Sequence, residues 1–310
     1  MIDPIAADLE RALNEPGEAL APAALAIAQL EYPRLDPGPY LAQLDEYGRE
    51  AARRLQGLAD RREQIIAINR FLFGTLGLAG NRDQYLDPRN SFLNDVIDRR
   101  LGIPITLSVV YIEVGRRAGL PMRGVGFPGH FLVRCDETAS DPYIIDAFNT
   151  GRLLSESDCL ELLREHARQG GAEGAPPMDF PWHPSFLDPA DRRAIVVRML
   201  NNLKRAYVTL RSFSHARRTS DLLLAVDPSV VTELRDRGLL SYHLQDFSSA
   251  LHDLERYLRI VTRAEPPQLS SRHGEHAGQD DDPDREENEE EFKAIWEHVK
   301  NLRRRVASFN

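Results

Sequence analysis

The stretch GIPITLSVVYIEVGRRAGLP, Gly102–Pro121, decides the fold. Ile105, Leu107, Val109, Val110, Ile112 and Val114 make it apolar on most of its circumference, which marks a helix enclosed by a domain. Its β-branched residues would also suit a strand. The closing RRAGLP places two basic residues before glycine and proline, a helix-stop signal, and selects the helix.

Downstream, MRGVGFPGHFLVRC (122–135) predicts a strand in which His130, Leu132 and Arg134 alternate with Phe131, Val133 and Cys135. PYIIDAFNTGRLLS (142–155) predicts a second strand ending in a turn at Asn149-Thr150-Gly151. A helix followed by two strands gives an α+β core, not a doubly wound parallel sheet. Upstream, residues 1–75 carry apolar residues at helical spacing, and Pro33, Pro37 and Pro39 separate the first helix from the second. Between these helices and the central one runs NRDQYLDPRNSFLNDVIDRRLG (81–102), where a short helix is expected over Ser91–Arg100, capped by Ser91 with Asn94 at its third position.

The glycine- and proline-rich stretch 169–189 marks a domain boundary, after which Ala190 to about Val261 reads as helical and repeated. Leu210, Phe213 and Ala216 recur 34 residues later as Leu244, Phe247 and Ala250, with Pro228 closing the first unit and Gly238 opening the second. That period is similar to tetratricopeptide repeats, pairs of antiparallel helices. Lys204 stands where the first repeat would have its glycine, and Thr262 where the second would have its proline. Two repeats are few for a free-standing array, so they are expected to dock on other parts of the chain. The organisation expected is 1–185 for the α+β domain, 186–263 for the repeats, 264–291 for an acidic disordered linker and 292–310 for a last helix. Phe292, Ile295, Trp296, Val299 and Leu302 give that helix an apolar face, and the repeats are the surface on which it is expected to fold back.

The chain has 310 residues, 42% hydrophobic and 28% charged, the composition of an ordinary globular protein. Its formal net charge of −9 is local: residues 280–291, DDDPDREENEEE, contain nine acidic residues and one arginine. The remainder is almost neutral and gives no support to a nucleic-acid-binding surface. The N-terminus lacks a secretory signal, and no apolar run approaches the roughly 20 residues of a spanning helix. Cys135 and Cys159 give neither a metal-binding spacing nor a disulfide framework. The expectation is a cytoplasmic protein with no cofactor, no metal, no nucleic-acid partner and no membrane association.

The run RNSFLNDVIDRRLGIPITLSVVYIEVGRRAGLP, with GVGFPGHFLVR after it, resembles the core of the transglutaminase-like superfamily, related to papain-like cysteine hydrolases. More closely it resembles SirB-type bacterial proteins, which join such a core to a tetratricopeptide-like region; the core also occurs in some eukaryotic F-box proteins. The resemblance implies a helix-rich papain-like α+β domain followed by an all-α repeat region. Active members of the superfamily use a thiol at a helix N-terminus, a histidine on the next strand and an aspartate on the strand after. The helix dipole lowers the thiol pKa, the imidazole takes its proton, and the carboxylate fixes the imidazole tautomer. By this resemblance His130 matches the histidine and Asp146 the aspartate, while the thiol position falls on Pro104, or on Ile105 with a one-residue shift.

Substitute nucleophiles are weak. Thr106 and Ser108 lie near the helix start, but Thr106 is rotated about 200° from the nominal position. Cys135 is an odd number of residues from His130 and so points to the opposite strand face, and Cys159 is expected in a surface helix. Asn94 and Asp95 either cap the short helix or line the cleft with Pro104. His130 and Asp146 have a structural reading too, since a buried aspartate needs a partner and the histidine supplies one. The reading that follows is a non-catalytic transglutaminase-like module that binds a protein or peptide through its repeats or its vestigial cleft. The alternative is an acyl-transfer enzyme or hydrolase using a Ser or Thr hydroxyl with His130 and Asp146.

Overall fold

The computed structural model describes residues 3–138, 141–170, 182–264 and 294–304. They fall into two compact units, Met1–Thr209 and Leu210–Asn310. The division comes later than the stretch at 169–189. Apart from Ala264, the acidic linker lies outside the described residues, as do the ends of the expected last helix.

The first unit begins with α1 (Pro4–Asn14), α2 (Ala21–Ala28), α3 (Gly38–Leu55) and α4 (Arg61–Asn69). Asp3 caps α1 through Ile5 N and Asp60 caps α4 through Glu63 N, each carboxylate taking up an amide that the first turn leaves unpaired. Beyond α4 the backbone widens over Arg70–Thr75, where Leu76 N reaches Phe71 O. Two short parallel strands follow, β1 (Ala79–Gly80) and β2 (Leu101–Gly102), with α5 (Leu93–Arg99) between them. The expected helix at Ser91–Arg100 is thus shorter. Ser91 ends a tight turn over Pro88–Asn90, and Phe92 occupies the position before the helix without a side-chain cap. The helix stops at Arg100, whose φ of 61° is left-handed.

The central helix is α6 (Pro104–Arg117), and every residue from Pro104 to Gly115 is buried. Ile103 is extended just before it, and Pro104 takes the first helical position, where a missing N–H costs nothing. The one acid in this apolar cylinder, Glu113, is 1% exposed. Its carboxylate accepts from Leu20 N at 2.6 Å and from Arg117, so the buried charge is paired.

Against α6 lies an antiparallel meander, β3 (Met122–Val125), β4 (Leu132–Thr138), β5 (Asp141–Asp146) and β6 (Arg152–Leu154). Two expectations are corrected here. The segment 122–135 is a hairpin, not one strand, because Pro128 and Gly129 (φ 67°) turn the chain. His130 therefore sits in the turn before β4, outside the alternation. The segment 142–155 likewise folds into β5, a turn at Ala147–Thr150 and β6. Leu132 and Ile144 pack with α7 (Glu156–Gly170), through Cys159 and Leu163, while Met122 meets α6 at Gly115. Helix α7 is exposed over most of its length, and Cys159 lies on its buried side, facing this core. Helix α8 (Arg192–Thr209) completes the unit.

The second unit holds α9 (Phe213–Val226), α10 (Val231–His243), α11 (Phe247–Ala264) and α12 (294–304). The period of 34 residues is visible in the backbone. Arg211 and Gln245 are both left-handed, at φ 56° and 61°, and Phe213 and Phe247 each open a helix behind them. Ala216 and Ala250 are fully buried at equivalent positions. On α10 and α11, Arg237 forks to both oxygens of Asp253 at 2.7 Å and reaches Asp221 on α9. Helix α12 lays Ile295, Val299 and Leu302 against Ala250, Leu254 and Leu258 of α11, with Trp296 and Tyr242 at the margin. The last helix thus folds back onto the repeats.

Candidate functional site

Asp146 ends β5 and is 1% exposed. Its Oδ1 accepts from Phe148 N at 3.0 Å and Asn149 N at 3.2 Å, closing the turn before β6, while Oδ2 accepts from Asn149 Nδ2 at 2.6 Å. His130 Nε2 reaches the same Oδ1 at 3.0 Å. Antiparallel pairing of β4 with β5 explains the meeting: Val133 lies opposite Ile145, so the residues just before β4 lie beside the end of β5. Burial alone would raise the Asp146 carboxyl; the hydrogen bond and charge of His130, with the donors of Asn149, outweigh it and hold the group below the usual carboxylate range. The pair has the orientation a general base needs, with one ring nitrogen fixed by the carboxylate. Nδ1 makes no hydrogen bond among the described residues, and the imidazole is 15% exposed.

The turn that carries Asp146 is held from three sides. Phe148 lies over Gly80, where a Cβ would stand 2.5 Å from the ring, and meets His130 edge to face with centroids 6.3 Å apart. Gly151, left-handed at φ 75°, gives its carbonyl to Asn69 Nδ2 at 2.7 Å, and Asn69 Oδ1 accepts from Tyr111 on α6 at 2.8 Å. Arg82 stacks over Phe148 at 5.0 Å and donates to Asn149 Oδ1. The His130 turn is clamped separately by Arg198 of α8, which donates to the carbonyls of Phe127, at 2.8 Å, and His130. Desolvation lowers the Arg198 pKa, leaving a guanidinium whose bonds are made to neutral acceptors.

At the start of α6 the remaining candidates have structural employment. Pro104 is buried at the first helical position. Thr106 Oγ1 donates to Asn90 O at 2.7 Å and accepts from Ile103 N at 3.1 Å, so its hydroxyl is occupied by the helix start. Ser108 is fully buried, with Oγ 3.5 Å from Phe131 O. Asp95 turns to Tyr32, whose hydroxyl donates to it at 2.8 Å. Burial raises the Asp95 carboxyl, and burial together with Asp95 pushes the Tyr32 hydroxyl up to about 12. Asn94 is buried with Oδ1 unsatisfied. Burial pushes the Cys159 thiol up to about 11. The arrangement brings His130 to Asp146, while α6 begins with a proline and carries no thiol.

Four contributing residues were not legible as such. Asn81 and Asn90 join at 3.0 Å, and Asn90, fully buried, also donates to Gln84 O at 2.7 Å, fixing the 81–91 loop against the start of α6. Arg198 reaches the pair from α8, far away in sequence, and Phe148, two residues after Asp146, meets the His130 ring. Among the described residues there is no group of three or more His, Cys, Asp or Glu able to hold a metal ion, and no helix long and apolar enough to cross a membrane.

Comparison with known proteins agrees with this architecture. The profile of the transglutaminase-like superfamily matches residues 39–201, and a tetratricopeptide-repeat profile matches 203–287. A UPF0162 protein of Xylella fastidiosa (strain Temecula1) is 42% identical over 237 residues, 76% of this chain and 82% of that protein. A UPF0162 protein of Vibrio cholerae is 29% identical over 199 residues, 64% of this chain and 70% of its own length. F-box only protein 21 of Mus musculus is 31% identical over 189 residues, 57% of this chain but 28% of that longer protein. With the superfamily profile covering more than half its length and a tetratricopeptide region behind it, the chain belongs to the transglutaminase-like superfamily.

Proposed function

We propose that this protein is a non-catalytic transglutaminase-like module that works by binding a protein or peptide, through its repeats or through the cleft beside His130. The observation that carries the reading is Pro104. It occupies the first position of α6, where the superfamily mechanism needs a thiolate, and a proline has no group to deprotonate. The available substitutes weigh on the same side: Thr106 is bound to Asn90 O, Ser108 is buried, and the Cys159 thiol is raised away from thiolate formation. The tetratricopeptide region supports an interaction role, since stacked helix pairs present extended surfaces to partners.

The intact His130–Asp146 pair is the one observation favouring the alternative, acyl transfer or hydrolysis with a hydroxyl from Thr106 or Ser108. The two readings separate in an assay of amine incorporation, peptide hydrolysis and aryl-ester hydrolysis by the full chain. The binding reading expects rates at background, unchanged in His130→Ala and after iodoacetamide. Turnover removed by either treatment overturns it.

A further inference from the structure

Beside His130 three separate elements present cations and aromatic rings to one surface. The loop after β1 supplies Arg82 and Tyr85, the turn after β5 supplies Phe148, and α8 supplies Arg198 and Arg205, seven residues apart and so on one face of the helix. Tyr85 meets Phe148 edge to face with centroids 6.1 Å apart, and Phe148 meets His130 in the same way, so the three rings form a continuous ledge. Tyr85 is 45% exposed, so this end of the ledge is open to solvent. Desolvation raises its hydroxyl pKa, and the fields of Arg205 and Arg198 oppose the rise. Arg198 is placed at the ledge by its bond to His130 O, and Arg205 lies two turns further along the same face of α8.

Their availability differs. Arg198 is engaged with the carbonyls of Phe127 and His130, and Arg82 with Phe148 and Asn149. Arg205 is exposed, and its guanidinium makes no hydrogen bond or ion pair among the described residues. The segments forming these walls, 81–86, 147–150 and 198–205, contain four cationic residues and one acid, Asp83. A local excess of three positive charges in a chain of net charge −9 is a departure from the general surface.

From this juxtaposition we propose that the ledge of Tyr85, Phe148 and His130, rimmed by Arg82 and Arg205, is a docking site for an acidic peptide segment of a partner, an aromatic or apolar residue resting on the rings and flanking carboxylates meeting the arginines. The groups lie on three separate elements, and an extended chain can meet all of them. Arginine over aromatic rings presents a planar fork to a carboxylate while the rings accept an apolar side chain. The site rests on the binding reading of the cleft and names its ligand class.

The test uses the full chain and a fluorescein-labelled peptide, Gly-Glu-Glu-Phe-Glu-Glu-Gly, followed by anisotropy, beside peptides with Gln or Lys in place of each Glu. Binding in the order Glu, then Gln, then Lys is expected, weakening as sodium chloride rises from about 50 to about 300 mM, because exposed charge pairs are screened over that range. Arg205→Glu, which removes no hydrogen bond or ion pair among the described residues, should weaken the Glu peptide by roughly tenfold, and Arg82→Gln should add to the loss. Arg62→Glu, an exposed change on α4, should leave it unaltered. Equal binding of the Glu and Gln peptides, or affinity unchanged in Arg205→Glu, overturns the site. Neither result bears on the hydrolysis assay, in which loss of turnover in His130→Ala overturns the binding reading whatever the peptide does.

Discussion

Replacing Asp146 by Asn tests whether its charge is needed by the turn as well as by His130. The variant keeps Oδ1 as an acceptor for Phe148 N, Asn149 N and His130 Nε2. The other atom becomes an NH2 group facing Asn149 Nδ2, previously 2.6 Å from Oδ2, so two donors oppose each other. Asn149 cannot relieve this by turning its amide, because its Oδ1 accepts from Arg82. One charge-assisted hydrogen bond is lost and the others become neutral, so the expected loss is about 2 kcal/mol, against about 3–5 kcal/mol for Asp146→Ala, which strands every donor. The assay is urea unfolding read from Trp182, which packs on the core between the sheet and α7, in a Trp296→Phe background so that the second unit is silent. The pH dependence supplies the control. The Asp146 carboxyl is held below its unfolded value, so its contribution is complete above about pH 4 and is lost as pH falls through the lower folded value. The gap between wild type and Asp146→Asn should therefore shrink toward pH 3. Equal stability at pH 7, or a gap independent of pH, refutes the reasoning.

The docking of α12 is open to a similar test. Val299→Asp puts a carboxylate where the side chain is fully buried, a cost of several kcal/mol, and should detach the helix; Trp296 emission in a Trp182→Phe background should shift to the red, and an unchanged spectrum rules out the contact. Gly151→Ala should destabilise the first unit by about 1–3 kcal/mol, from the left-handed backbone and from a Cβ standing 1.9 Å from Asn69 Oδ1. Urea curves read at Trp182 would detect it, and a neutral result would mean that the Asn69–Tyr111 tie is loose. Cys135 and Cys159, both buried, should resist a disulfide reagent in the native chain and react together on unfolding. Rapid labelling of Cys159 under native conditions would contradict the packing of α7, and rapid labelling of Cys135 the packing of the sheet on α6.

The central helix was legible because its signals are local: an apolar cylinder, Pro104 at the start, and Arg116, Arg117 and Gly119 at the end. The repeats were legible because a period of 34 residues repeats at Arg211 and Gln245 as left-handed turns. His130 and Asp146 were legible as a pair through the superfamily resemblance, but the strand carrying His130 was drawn too long. Alternation of apolar residues continues on both sides of Pro128-Gly129, but that dipeptide marks a turn and divides the alternation between two strands. That α7 is a surface helix was legible, but which side of it is buried is set by the sheet it meets, and Cys159 lies on that side. The Asn81–Asn90 bond and the Arg198 clamp join residues whose meaning depends on long-range partners, and nothing in their immediate neighbours announces them.

Asp146 has three donors besides His130, all from the turn that follows it. Any chain that makes this corner between β5 and β6 therefore has reason to keep an aspartate there, whether or not it performs chemistry, and an imidazole placed next to it gains a ready anchor. A histidine and an aspartate found together at these positions are, for that reason, a poor witness to turnover. In surveying genomes for active members of the superfamily, the informative position is the first residue of the central helix, which the corner does not constrain.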